Sequence, residues 1–172
     1  MTSIKRSIVK KQRDDGSKAV GADPAEQCLK AALRLLTYRS RSEMEIRVRL
    51  GRRFSDETIS GVMSKLRQMK LVDDAAFAEY WREKRETHSP RSRRLVGAEL
   101  RQKGIDRELV ANVTSIIDDA ESAYRAAHKK AGALAGEDYA IFRRKLSAFL
   151  YRKGFSYEVA AHTVFRLWQE FS

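Results

Sequence analysis

The chain has 172 residues, with 35 Lys and Arg against 23 Asp and Glu, so its formal net charge is +12. At 42% apolar and 34% charged residues it is too apolar for a wholly disordered chain and too charged for a membrane protein. Two prolines and nine glycines are too few for the turns of an all-β sandwich, and a single cysteine excludes a disulfide framework and any Cys-based zinc site.

Residues 1–22 carry Lys5, Arg6, Lys10, Lys11, Arg13 and Lys18 against Asp14 and Asp15, a net +4 without apolar periodicity. This pattern predicts a disordered basic tail, and it leaves +8 on residues 23–172. The tail lacks the apolar core of a signal peptide, and no segment nears the roughly 18 apolar residues of a spanning helix. The expected setting is therefore cytoplasmic, with no membrane partner.

Order is predicted to begin at Asp23-Pro24-Ala25-Glu26, with Asp23 as N-cap, Pro24 in the first turn and Glu26 at the capping-box position. Cys28, Leu29, Ala32, Leu33 and Leu36 then recur at helical spacing, which places Cys28 in a core. Ser89-Pro90 reads the same way, as N-cap and first residue of a helix carrying Leu95, Val96 and Leu100.

Leu50, Leu100 and Leu150 lie 50 residues apart, each near the end of a basic helix and each preceded four residues earlier by Ile46, Val96 or Leu146. Gly104 and Gly154 follow Lys103 and Lys153 as helix-ending residues, whereas the first copy has Arg53 there and needs a different turn. Ser55, Asp106 and Ser156 then cap a following helix, with Glu57, Glu108 and Glu158 in its first turn. A further helix precedes each pair, two of them starting at Asp73-Asp74 and Asp118-Asp119. The whole predicts an all-α chain of nine helices, at 24–38, 41–53, 55–69, 73–87, 90–103, 106–117, 119–131, 138–153 and 156–170. They group into three three-helix repeats, 23–71, 72–117 and 118–172. Units of this size are near the lower limit of independent stability, so they should stack end to end into an elongated array.

For chemistry, the aspartate pairs could hold Mg²⁺ in a nuclease, but Asp at a helix start is first of all a cap. His88, His128 and His162 share no zinc-ligand spacing, and no glycine-rich phosphate loop occurs. No metal or cofactor is expected. The arginine-rich groups are the stronger signal, because the planar guanidinium suits phosphate. Arg39 and Arg41 mark the first unit; Arg82, Arg85, Arg91, Arg93, Arg94, Arg101 and Lys103 the second; Arg143, Arg144, Lys145, Arg152 and Lys153 the third. Glu43–Arg47 and Glu45–Arg49 at i, i+4 account for part of the first cluster as local ion pairs. The runs Arg91-Ser92-Arg93-Arg94 and Phe142-Arg143-Arg144-Lys145 lack close acidic neighbours, and weight falls on them. Phe77, Trp81 and Trp168 read as core, while Tyr38 and Tyr151, each beside an arginine, are open to base stacking.

Four segments in order resemble the RecX family of RecA recombinase regulators: Leu36-Thr37-Tyr38-Arg39-Ser40-Arg41-Ser42-Glu43-Met44-Glu45, Leu71-Val72-Asp73-Asp74-Ala75-Ala76-Phe77-Ala78, Glu99-Leu100-Arg101-Gln102-Lys103-Gly104-Ile105 and Tyr151-Arg152-Lys153-Gly154-Phe155. The family's Gly-Pro before the fifth helix is Ser89-Pro90 here, and residues 1–22 lie outside the pattern. The resemblance implies tandem three-helix repeats and a non-enzymatic regulator. Such a regulator, monomeric when free, would bind the RecA–DNA filament, and single- and double-stranded DNA, and inhibit ATP hydrolysis, strand exchange and co-protease function. From the residues alone, a sequence-specific helix-turn-helix-like regulator and a metal-dependent nuclease remain alternatives.

Overall fold

The computed structural model describes residues 23–172, so the tail predicted at 1–22 lies outside the described residues. The described residues form nine helices: α1 (Pro24–Tyr38), α2 (Glu43–Leu50), α3 (Asp56–Gln68), α4 (Asp74–His88), α5 (Arg93–Gln102), α6 (Arg107–Ser115), α7 (Asp119–Gly132), α8 (Tyr139–Arg152) and α9 (Tyr157–Phe171). None is long and apolar enough to cross a membrane. The described residues have no single core but three, one per set of three helices, in a tandem array. The first gathers Cys28, Ile46, Ile59, Met63 and Leu66, the second Phe77, Val96, Leu100, Val110 and Ile117, the third Ala127, Phe142, Leu146, Leu150 and Leu167.

Caps set the element boundaries. Ser55, Asp106 and Ser156 accept backbone N–H bonds at the starts of α3, α6 and α9, as their spacing predicts. Asp23 caps α1 by accepting from Ala25 N–H, while Glu26 closes no capping box and pairs with Lys30 at 2.6 Å. The complete box stands at α2, where Glu45 N–H donates to Ser42 Oγ at 3.2 Å and Ser42 N–H donates to Glu45 Oε2 at 3.4 Å. That box starts α2 two residues later than predicted, and the helix stops at Leu50 rather than 53, because Arg53 and Phe54 N–H both turn back onto the Leu50 carbonyl. Pro90 does not begin a helix. It lies in the connection after α4, and Ser92 caps α5 by accepting from Leu95 N–H.

Neighbouring units meet at two joints built to one plan. At the first, the Ser42 hydroxyl donates to the Lys103 carbonyl at 2.6 Å; at the second, Ser92 N–H donates to the Lys153 carbonyl at 3.1 Å. Thus the capped start of one unit's middle helix sits on the turn that ends the next unit's middle helix. The turns end in Gly104 and Gly154, at φ +80° and +89°, so both need glycine's left-handed freedom. Both also need its missing side chain: a Cβ at Gly104 would lie 2.6 Å from Met44 Cβ, and one at Gly154 would lie 2.7 Å from Leu95 Cβ.

The aspartate pairs complete these joints. Asp73 and Asp118 cap α4 and α7. Their neighbours reach back a whole unit: Asp74 Oδ1 accepts from Glu43 N–H at 2.9 Å, and Asp119 Oδ1 accepts from Arg93 N–H at 2.6 Å. Each pair is thus one cap and one stitch, with its oxygens turned to backbone donors. No three His, Cys, Asp or Glu side chains converge on a metal position among the described residues.

The two joints differ in charge. Glu45 does not pair with Arg49, as its i, i+4 spacing suggested. It takes a two-pronged bond from Arg39, at 3.1 and 2.9 Å, and a third from Lys103 Nζ at 2.8 Å. Lys103 also rests 4.1 Å from the Trp81 ring centre. Burial alone would raise the Glu45 carboxyl, but these two cations outweigh it and hold it at about 2. Leu95 occupies the matching place in the second joint, and Lys153 there donates only to Ser89 Oγ, at 2.9 Å. Burial, with Arg91 and Arg85 close by, lowers the Lys153 pKa.

The depressed Glu45 carboxyl stabilises the fold above its unfolded pKa near 4.5, and that contribution is lost as pH falls through 2. Acidification from pH 5 to 2 should therefore remove up to about 3 kcal/mol through this group. In denaturant melts across that range, Glu45→Gln should be less stable than the parent at pH 5, with the difference shrinking towards pH 2. A difference independent of pH would refute the assignment.

Candidate nucleic-acid interface

The joints repeat the unit geometry, and with it a cleft. In the second unit a cleft of about 730 Å³ lies between α5 and α6. Its walls are Arg93, Arg94, Gly97 and Arg101 from α5 and Arg107, Val110, Ala111 and Thr114 from α6, with Asp119 at the edge. In the third unit a cleft of about 530 Å³ lies between α8 and α9. Seven wall positions recur there 50 residues on, as Arg143, Arg144, Ser147, Tyr151, Tyr157, Ala161 and Val164. Gly97 lets α5 and α6 close up, since a Cβ there would touch Val110 at 3.4 Å and the Arg101 guanidinium at 3.3 Å.

The first unit departs from the plan. Glu43 stands where the other units have Arg93 and Arg143, and it takes bonds from Arg47 Nε at 2.9 Å and Arg67 at 2.8 Å. Burial tends to raise the Glu43 carboxyl, but those two arginines bring it below the usual range. Its basic surface lies elsewhere, in a cleft of about 310 Å³ where Arg34, Arg49, Arg52 and Arg53 surround Leu35, Leu50 and Phe54.

The fourteen residues marked in the sequence separate into two sets. Nine are held by the protein itself. Arg39 and Lys103 share Glu45. Arg41 is only 6% exposed and donates through Nε to the Leu35 carbonyl, so it is interior rather than interface. Arg82 pairs with Glu86 and Glu83, and Lys145 with Glu137. Arg85 and Arg91 both bond Glu99, which also accepts from the Trp81 indole. Arg93 clasps the Ile117 carbonyl at 2.7 Å, and Lys153 bonds Ser89. Arg94, Arg101, Arg143, Arg144 and Arg152 make no hydrogen bond or ion pair among the described residues, and all five are exposed.

The run at 91–94 is therefore less free than its sequence suggests. Glu99 lies eight residues from Arg91 in sequence, yet the fold brings them together, so only Arg94 of that run is uncommitted. The run at 143–144 is free. Arg107 escaped sequence reasoning, although it lies on the cleft wall beside the free arginines. The 50-residue register that pairs Arg101 with Tyr151 also pairs Arg107 with Tyr157, and would have found it. Phe77 is buried, and Trp168 packs edge-on to Phe142 at 5.1 Å, whereas Tyr38 is 84% exposed and Tyr151 44%.

Comparison with known proteins adds the decisive observation. Residues 28–66, 73–113 and 117–163 match, in order, the first, second and third three-helix domains of RecX. The chain belongs to the RecX family. It is 35% identical over 144 residues to the regulatory protein RecX of Mycobacterium avium, covering 81% of this chain and 83% of that one. It is 34% identical over 139 residues to that of Chlorobium limicola, covering 80% and 87%. Its structure is similar to the crystal structure of RecX from Lactobacillus salivarius, with a TM-score of 0.70, 25% sequence identity and coverage of 85% of this chain and 97% of that one. RecX relatives thus carry the same three-unit plan, and the relatives named here are regulatory proteins.

Proposed function

We propose that this protein is a non-enzymatic cytoplasmic regulator that binds the RecA–DNA filament, and DNA itself, and inhibits recombinase activities. ATP hydrolysis, strand exchange and co-protease function are the activities concerned. Membership of the RecX family supports the partner. The observation that carries the mechanism is the repeated cleft, with Arg94 and Arg101 in one unit and Arg143 and Arg144 in the next, all unpaired. Two like clefts held at a fixed separation by the joint between their units suit a ligand that repeats. A helical polymer with phosphate along its groove is such a ligand. Modest contacts add along the array, so a small monomer can grip a filament, exclude incoming duplex and hold the recombinase in a state poor for turnover. No cofactor or metal takes part.

The test is the single-stranded-DNA-dependent ATPase of the cognate recombinase, with this protein added below one per recombinase subunit. Inhibition is expected well below equivalence, and an unaffected ATPase would overturn the proposal. A sequence-specific helix-turn-helix regulator would instead show a strong preference for one duplex sequence. A nuclease would cleave DNA with Mg²⁺ and lose that activity when Asp74 or Asp119 is replaced.

A further inference from the structure

The two clefts share a backbone but not a chemistry. At the two positions where the second unit has Arg101 and Arg107, the third has Tyr151 and Tyr157. A third tyrosine, Tyr139, enters from the first turn of α8. Its ring stands edge-on to Trp168 at 5.2 Å, and Trp168 is braced in turn by Phe142, so this wall is fixed by the core. Tyr139, Tyr151 and Tyr157 are 42%, 44% and 74% exposed, which is unusual for three aromatic rings around one opening. Arg143 and Arg144 lie on the same helix face, and no carboxylate lines this cleft, whereas Asp119 edges its counterpart in the second unit. The volume of about 530 Å³ lies within the range of small-ligand sites.

We infer that the α8/α9 cleft is a stacking site for unpaired nucleobases, with Tyr151 and Tyr157 as ring platforms and Arg143 and Arg144 holding the adjoining phosphates. Tyrosine where the second unit has arginine exchanges charge for π-faces, and π-faces serve any base once it is out of a duplex. Paired bases are stacked on each other and present only edges and backbone, which the second unit's four cleft arginines suit better. The array thereby divides its labour: the second unit reads phosphate on any strand, and the third selects strand that is single. This deepens the nucleic-acid part of the proposed function and rests on it.

The test uses the full chain and three probes in fluorescence anisotropy at one salt concentration. These are a thymidylate oligomer of about 15 nucleotides, an abasic deoxyribose-phosphate oligomer of the same length, and a duplex. The parent should bind the thymidylate oligomer about ten- to a hundredfold more tightly than the abasic one. Tyr151→Ala with Tyr157→Ala should bring that ratio close to one and leave the salt dependence unchanged. The corresponding phenylalanine pair should keep the ratio, which separates stacking from loss of fold. Arg143→Ala with Arg144→Ala should weaken all three probes and flatten the salt slope by about 1.4 on the single strands and about 1.8 on the duplex. Equal binding of thymidylate and abasic oligomers by the parent would overturn the inference. So would a ratio that survives the alanine pair, or displacement of the oligomer by a polyglutamate peptide at matching concentration. If the parent fails in anisotropy but still slows the recombinase ATPase, the stacking site falls and the filament reading stands. If the ATPase is also unaffected, both fall.

Discussion

Replacing Arg94, Arg101, Arg143 and Arg144 together by alanine should lower DNA affinity by about a thousandfold in 0.1 M salt and abolish inhibition of the recombinase at substoichiometric amounts. Each phosphate contact releases about 0.9 of a counterion, which at 0.1 M salt is worth roughly a factor of eight, so four contacts at nearly full strength reach that size. The slope of log affinity against log salt should flatten by about three to four. Stability should hardly change, because these side chains are exposed and make no ion pair or hydrogen bond among the described residues, and such substitutions stay within about 0.5 kcal/mol. Arg85 and Arg91 supply the contrast. Both serve Glu99 beneath Trp81, so their removal strips partners from a mostly buried carboxylate and should appear in the melting curve. A quadruple variant that is folded and still inhibits would end the cleft assignment.

Gly104→Ala should cost about 2–5 kcal/mol and part the first unit from the second. Left-handed backbone costs an L-residue about 1–2 kcal/mol, and overpacking adds about 1–3. The added methyl would stand 2.6 Å from Met44 Cβ, which is anchored to the helix backbone and cannot swing aside. The start of α2 must retreat, and the bonds from Ser42 to the Lys103 carbonyl and from Glu43 N–H to Asp74 open with it. Gly136→Ala is the control. Gly136 also has a positive φ, +92°, but nothing lies within 4 Å of its added Cβ, so it should carry only the backbone cost. Calorimetry should resolve a separate, lower transition for the first unit in Gly104→Ala and a single shifted one in Gly136→Ala. Identical behaviour of the two would show that the joint tolerates the methyl.

The helices and their caps were legible because their causes are local. Ser55, Asp106 and Ser156 cap from within three residues, and the core stripes follow from helical spacing. Ser89-Pro90 misled because two serines, three residues apart, both offer a cap. What selects Ser92 is its N–H bond to the Lys153 carbonyl, more than 60 residues away. The same 50-residue register that revealed the repeat pairs Ser92 with Ser42, and would have decided it. Partners of charged groups were the least legible. Glu45 and Glu99 collect their cations from segments brought together by the fold, at separations from 6 to 58 residues, and no i, i+4 rule anticipates them. In the sequence the Asp-Asp pairs read as caps, which is right for the first aspartate of each; the stitch made by the second depends on a neighbouring unit.

Because each unit closes its own core, the chain can fold as it is synthesised. The first core is complete once Val72, just after α3, has emerged, the second once Ile117, just after α6, has, and the third with α9. Domains of this kind fold in order from the N-terminus during translation. Only the joint bonds wait: Ser42 finds its Lys103 partner 61 residues later, and the Lys153–Ser89 bond closes across 64. The separation between the two clefts is therefore set by the second of these joints alone, and it is fixed only once Lys153, near the end of the third unit's middle helix, has been made.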